Sequence, residues 1–298
     1  MLPLPTPSPD PLAVALARKA RTGEPGTNTG TVVATGAGWQ VVDLVCTSGP
    51  RDPSFLERQT SVCISLVLSG AFAYRTERGS ALMSAGTLIL GNADQPFECS
   101  HEHGEGDRCL SFQFDPEMFA RLAHDAGAPR FRFDRDRLPP LRPLAPLTAR
   151  ARMASAGRCD SLEEIGLDLA AAVIHGTTNG SRAASPASGD AGRIARVLRR
   201  LEAQTAERHP LGDLARAAGL SPYHFLRVFK GVTGVTPHQW LLRARLREAA
   251  HRLATSRAPV TEIALDVGFD DLSNFIRTFR AEFGVPPSRY RGRPDARI

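Results

Sequence analysis

The chain has 298 residues, of which 42% are apolar, and a formal net charge of +6. That is enough for two domains with cores of their own, and no run of about 18 apolar residues offers a bilayer-spanning helix. The charge is uneven: residues 1–189 hold 18 Lys and Arg against 20 Asp and Glu, whereas residues 190–298 hold 19 against 11. The basic excess therefore lies in the last third and points to a polyanionic partner there.

The opening "MLPLPTPSPDP" is too proline-rich for the apolar helix of a signal peptide, and residues 1–30 read as a disordered tail. Residues 31–178 form the first expected domain. Trp39 to Cys46, Val62 to Leu68, "TLIL" at 87–90 and "CLSFQF" at 109–114 read as strands, punctuated by Gly70, Gly79, Gly86 and Gly91. Short strands between glycines predict an antiparallel sandwich or barrel. The odd number of cysteines, without an export signal, predicts free thiols and a cytoplasmic protein.

Within this region "FECSHEHGEGDRC" packs two cysteines, two histidines and four acidic residues into thirteen positions. If it is extended, alternation puts Phe97, Cys99, His101 and His103 on one face, with Cys109 returning after a turn. Cys99, His101, His103 and Cys109 then have the chemistry to hold zinc or another transition metal. They could equally form a thiol or redox sensor. A third reading makes the histidines loop residues and the cysteines small buried hydrophobes, as Cys46 and Cys63 inside strand patterns suggest.

From Pro139 to about Gly176 the pattern becomes helical. Ser161 is the expected N-cap of "SLEEIGLDLAAAVIHG", with Glu164 completing a capping box and Leu162, Ile165, Leu169 and Val173 on one face. Residues 179–189 belong to a Gly-, Ser- and Ala-rich linker. Asp190 opens the last domain, 190–298, with a helix whose apolar face is Ile194, Val197, Leu198 and Leu201.

This domain contains an internal repeat. Leu214, Ala215 and Gly219 match Ile263, Ala264 and Gly268 at an offset of 49. After a one-residue insertion, Phe225, Arg227, Phe229, Lys230, Gly234, Val235, Pro237 and Trp240 match their counterparts at an offset of 50. Each copy reads as a short helix stopped at a glycine, a tight turn, and a second helix begun at a cap: Ser221 in the first, Asp270 in the second. That is the form of a helix-turn-helix, whose second helix enters a DNA major groove. Helical spacing buries Phe225, Val228 and Phe229, then Phe275, Ile276 and Phe279. It leaves Tyr223, Leu226, Arg227 and Lys230, then Ser273, Asn274, Arg277 and Arg280, for the outer faces. Arg pairs with guanine and Asn with adenine in the major groove. Between the repeats, Thr236 caps a stiff helix reaching about Ala254, roughly 27 Å long.

"GLSPYHFLRVFK" and "IALDVGFDDLSNFIRTFRAEFGVPPSRYR" resemble the DNA-binding domain of the AraC/XylS family of bacterial transcription regulators, over about Asp190 to Arg291. The resemblance implies that Tyr223, Leu226 and Arg227 face bases in one groove and Ser273, Asn274 and Arg277 in the next, with Ser221, Lys230 and Arg280 beside them. It also implies a cupin-like β-barrel that senses a small-molecule effector, dimerisation helices, and a homodimer on double-stranded promoter DNA with RNA polymerase as a further partner. A cupin-type metalloenzyme fused to a DNA-binding module is the alternative from another class. Asp107 would supply its acid, but the His pair follows the "SAG" turn at 84–86 where a catalytic cupin has it first, so a non-enzymatic regulator is expected.

Overall fold

The computed structural model describes residues 10–102, 104–155, 162–178 and 190–292. It begins with a helix, α1 (Pro11–Thr22), where the sequence suggested a disordered tail. The reason is local. Asp10 accepts from the Leu12 amide and Pro11 occupies the first helical turn, so the prolines that exclude an apolar leader also start a capped helix. Leu12 is buried, and Lys19 donates to Asp52 and to the Thr47 carbonyl at 2.7 Å each, tying the helix down. The Gly26 amide and Lys19 hold the Asp52 carboxyl down to about 2. Residues 1–9 lie outside the described residues.

The strands that follow are β1 (Asn28–Gly36), β2 (Trp39–Cys46), β3 (Phe55–Arg58), β4 (Val62–Thr76), β5 (Gly79–Ser84), β6 (Leu88–Gly91), β7 (Pro96–Ser100), β8 (Asp107–Phe114) and β9 (Arg137–Leu138). All pairings are antiparallel. The order β1-β2-β8-β4-β6-β9 branches at β4, which also pairs β5 and β7, and among the described residues it does not close into a ring. Gly70, expected at a turn, lies within β4 at φ 82, next to a bulge between Val67 and Ser69. There the strand bends from one set of partners to the other. A Cβ on Gly70 would sit 2.3 Å from the Gly106 carbonyl oxygen, so the bend also needs a residue without a side chain.

Helices cover one face of the sheet: α2 (Pro116–Asp125), α3 (Ala145–Ser155) and α4 (Leu162–Thr178). Ile165, Leu169 and Val173 of α4 are buried against Ile64, Leu110 and Phe112 of the sheet, on the face that helical spacing predicts. Ser161, Cys159 and the linker 179–189 lie outside the described residues.

The basic third consists of α5 (Asp190–Ala203), α6 (Leu211–Ala218), α7 (Pro222–Thr233), α8 (Pro237–Thr255), α9 (Val260–Asp266), α10 (Leu272–Phe283) and α11 (Pro287–Gly292). Two small cores form on either side of α8. Trp240 joins Ile194, Leu198, Phe225 and Phe229; Leu253 joins Ile263, Phe275, Phe279 and Tyr290. Ala71 and Leu82 of the sheet enter the first core, and Ala145 and Ala149 of α3 enter the second.

Arginines seal the two halves against each other. Arg137 donates to the Gly231 carbonyl (3.4 Å) and Arg142 to the Ala281 carbonyl (2.6 Å), near the C-terminal ends of α7 and α10. Arg247 donates to the Ala85 carbonyl at 3.3 Å. Within the sheet domain, Arg152 of α3 donates to the carbonyl of Leu68 in β4. Glu202 of α5 lies at this seam with one carboxylate oxygen shut from solvent and without a hydrogen-bond partner. Burial raises its carboxyl from an ordinary 4.5 to about 7, against the pull of Arg247, the Ala85 amide, Arg152 and Arg199. The folded chain therefore holds this proton where the unfolded chain has lost it. Stability from Glu202 is full below about pH 4.5 and is lost as pH rises through about 7. Glu202→Gln should remove that falling slope from a plot of denaturation midpoint against pH, leaving the value at pH 4.5 little changed; an unaltered slope would assign it to other groups.

Candidate functional site

Each repeat builds a helix-turn-helix by the same local chemistry. α6 ends at Gly219, in the left-handed region at φ 67, and α7 begins at Ser221, which accepts from the His224 amide. α9 is followed by Gly268 at φ 92, where a Cβ would fall 2.5 Å from the Ala206 carbonyl oxygen. α10 begins at Asp271, not Asp270: its carboxylate accepts from the amides of Ser273 (3.0 Å) and Asn274 (2.9 Å). Asp270 instead pairs with Arg208 at the surface, at 2.6 Å. The offset of 50 already aligned Asp271 with Ser221, so the repeat itself carried the signal for the true cap.

Phe225 and Phe229 of α7 and Phe275 and Phe279 of α10 are wholly buried. Ile276, expected with them, is 37% exposed, because Phe275, Phe279 and Phe283 at successive four-residue steps already occupy the inward stripe. Ile276 thereby matches Leu226, which is 36% exposed at the equivalent point of α7. Ser221, Arg227, Lys230, Ser273, Asn274, Arg277 and Arg280 are all exposed. The side chain of Tyr223 lies outside the described residues. On α10, Arg277 donates to Asn274 Oδ1 at 3.0 Å, and the Thr278 hydroxyl does so at 3.3 Å. This shared acceptor holds Asn274 and Arg277 together on the outer surface.

The arginines of α8 have inward work. Arg245 donates to the carbonyls of Thr205 (2.8 Å), Gly268 (2.7 Å), Ala206 (3.3 Å) and Glu207 (2.7 Å), tying the end of the α5 region to the turn of the second repeat. Arg243 pairs with Glu282, and Arg252 with Glu248 and Asp266. Part of the basic excess thus fixes the two repeats relative to each other, while Arg227 and Lys230 of α7 and Arg277 and Arg280 of α10 face outward.

The sheet domain holds a partly open cavity of about 290 Å³ lined by polar and thiol side chains among aromatic ones. Phe97, Cys99 and His101 share its lining, as alternation along β7 predicts, and Cys109 joins them from β8. His103 lies outside the described residues. Two residues absent from the expected set complete the constellation. Cys46 and Asp107 stand directly opposite each other in the β2–β8 ladder, and their ligand atoms with that of His101 all lie within 4.8 Å of one another. His101 Nε2 is 2.6 Å from Asp107 Oδ1, and the Cys109 thiol donates to Asp107 Oδ2 at 3.3 Å. The His101 ring stacks on Phe72, and its Nδ1 has no hydrogen-bond partner. Burial would lower the His101 pKa, but Asp107 and Cys46 outweigh it and raise it to about 9. Burial pushes the Cys63 thiol up to about 11. Burial and then the negative charge of Asp107 push Cys99 and Cys109 well above the usual thiol range. Thiols held protonated in this way are poor nucleophiles, which weighs against the oxidant-sensing reading.

The C-terminal half is thus a bipartite helix-turn-helix module with two equivalent exposed helices. The pattern of the helix-turn-helix domain matches residues 214–293. The chain is 35% identical over 98 residues to the HTH-type transcriptional activator AarP of Providencia stuartii, a match covering 33% of this chain and 73% of that protein. It is 42% identical over 81 residues to the Transposon Tn10 TetD protein of Escherichia coli, covering 27% of this chain and 59% of that one. Among solved structures, the DNA-binding domain of AdpA in complex with a target DNA is 32% identical, covering 34% of this chain and 90% of that one, with a TM-score of 0.33. The chain belongs to the AraC/XylS family of DNA-binding transcription regulators.

Asp271 caps α10 with two amide hydrogen bonds. Asp271→Ala should therefore lower stability by about 1 kcal/mol in a denaturant titration. A loss within error would show that solvent satisfies those amides equally well.

Proposed function

We propose that the chain reads promoter DNA through the outer faces of α7 and α10, which enter successive stretches of major groove. The observation that carries this is the repetition of one exposed pattern on both helices: an apolar residue followed by arginine, Leu226–Arg227 and Ile276–Arg277. A solvated surface has no need to repeat such a pair, whereas a groove-reading helix uses the apolar group against thymine methyls and the arginine on guanine O6 and N7. Asn274 is suited to adenine once its Oδ1 turns from Arg277 and Thr278 to the base. Ser221, Lys230 and Arg280 are suited to phosphates beside these contacts.

In this reading the sheet domain is the sensing half, with a cupin-like role, and its cavity admits a small effector. Because Arg137 and Arg142 bond backbone of α7 and α10, an effector that prefers one arrangement of the sheet domain would shift the population of DNA-competent heads.

Arg277→Ala should weaken binding to a selected site by about 1–3 kcal/mol and relax base preference at one position. Site selection from a random pool followed by titration at fixed salt checks this. Equal weakening on random DNA would reassign Arg277 to phosphate. Affinity of the unaltered chain should fall linearly with the logarithm of salt concentration, as counterion release requires.

A further inference from the structure

The three-residue cluster of Cys46, His101 and Asp107 has a donor set and a burial that hydrogen bonding alone does not explain. Cys46 is 4% exposed, and the side chains of His101 and Asp107 are 2% and 7% exposed. A hydrophobic wall would be the cheap way to fill this position, because buried polar groups must be paired. The three residues instead come from three places in the chain. Cys46 ends β2, Asp107 begins β8 opposite it, and His101 follows β7. Strand register, not loop chance, fixes two of the three. The buried His101 ring, part of the cavity lining, keeps its Nδ1 shut from solvent and without a hydrogen-bond partner.

We propose that this cavity binds a divalent cation of the zinc class through Cys46 Sγ, one ring nitrogen of His101 and a carboxylate oxygen of Asp107. A sulfur, a nitrogen and an oxygen are the mixed borderline donors that zinc accepts in tetrahedral sites and that magnesium and calcium do not favour. The fourth position faces the cavity and is open to water or to a group on an effector. The short His101–Asp107 hydrogen bond occupies the place of the ion and opens to admit it. The Cys109 thiol already holds Asp107 Oδ2, which leaves Oδ1 aimed at the site and gives the carboxylate the kind of outer support that metal ligands require. Cys63 lines the same cavity without belonging to the triad.

The regulatory meaning of the site rests on the sheet domain being the sensing half, but binding of the ion does not. The loop between His101 and Asp107 abuts the DNA-binding half, since a Cβ on Gly104 would lie 3.5 Å from Arg199 of α5. Glu102 and Glu105 of that loop share a surface cleft with Arg193, Arg196 and Arg199. A cation that parts His101 from Asp107 acts on a loop whose Gly104 lies beside Arg199 of α5.

The test uses the full chain, stripped of metal by a chelator under reducing conditions and titrated with cobalt(II) alone. A single equivalent should saturate a near-ultraviolet thiolate-to-cobalt charge-transfer band, and zinc should bleach it. Cys46→Ser should remove the band, while Cys63→Ser should keep it. His101→Gln and Asp107→Asn should weaken cobalt binding by more than the roughly 10–100-fold that loss of an outer-shell neighbour costs. No band in the unaltered chain, a band surviving Cys46→Ser, or equal loss in Cys63→Ser would overturn the site. Salt-dependent DNA binding, measured on the same preparations, separates the two readings. DNA binding without a cobalt band sinks the metal site and leaves the regulator; a cobalt band without DNA binding does the reverse.

Discussion

The bend of β4 at Gly70 is the constraint on which the sheet domain depends. One strand pairs with β8 and β6 before the bend and with β5 and β7 after it. The two portions cannot both keep their partners unless the backbone turns sharply, and the turn brings Gly70 against Gly106 with no space for a side chain. That approach sets β7 and the start of β8 on either side of the cavity. It also presents Ala71 and Leu82 to the first core of the helical half. The polar interior of the sheet domain and its junction with the DNA-binding half are thus consequences of one backbone distortion.

The helical half solves a different problem, that of holding two small units rigidly when neither has a large core. α8 is the common wall, with Trp240 on one side and Leu253 on the other. Arg245 adds what packing alone cannot, because its fork of donors fits carbonyls from two segments at once. Lysine, with a single compact ammonium, could not span those acceptors. Much of the arginine in this region is therefore architectural, and net charge alone overstates how many cations face outward.

The repeated helices were legible because their chemistry is local. A glycine stop, a cap and an apolar stripe all lie within a dozen residues, and so do the β-branched runs that mark β2 and the first part of β4. Where two local signals competed, the reading erred: Pro11 looked like a breaker but is the first residue of a capped helix. Ile276 looked like core because it adjoins Phe275, yet it lies about 100° round the helix from it. In the cavity, alternation grouped Phe97, Cys99 and His101 correctly, since all three belong to one run. It could not add Cys46 and Asp107, because their proximity comes from a ladder between strands distant in sequence. Asp107 was visible as an acid near the His pair, but only register shows which cysteine it faces.

The short segment around β9 joins both α7 and α10 to the sheet domain, through the Gly231 carbonyl on one and the Ala281 carbonyl on the other. Two helices bonded to a common piece of backbone do not move independently. Their pitch and separation are jointly set by α8, which spaces them, and by the segment from Arg137 to Arg142, which gauges them from behind. The sheet domain therefore serves as part of the ruler: any sliding of Arg137 relative to Arg142 alters the spacing between α7 and α10.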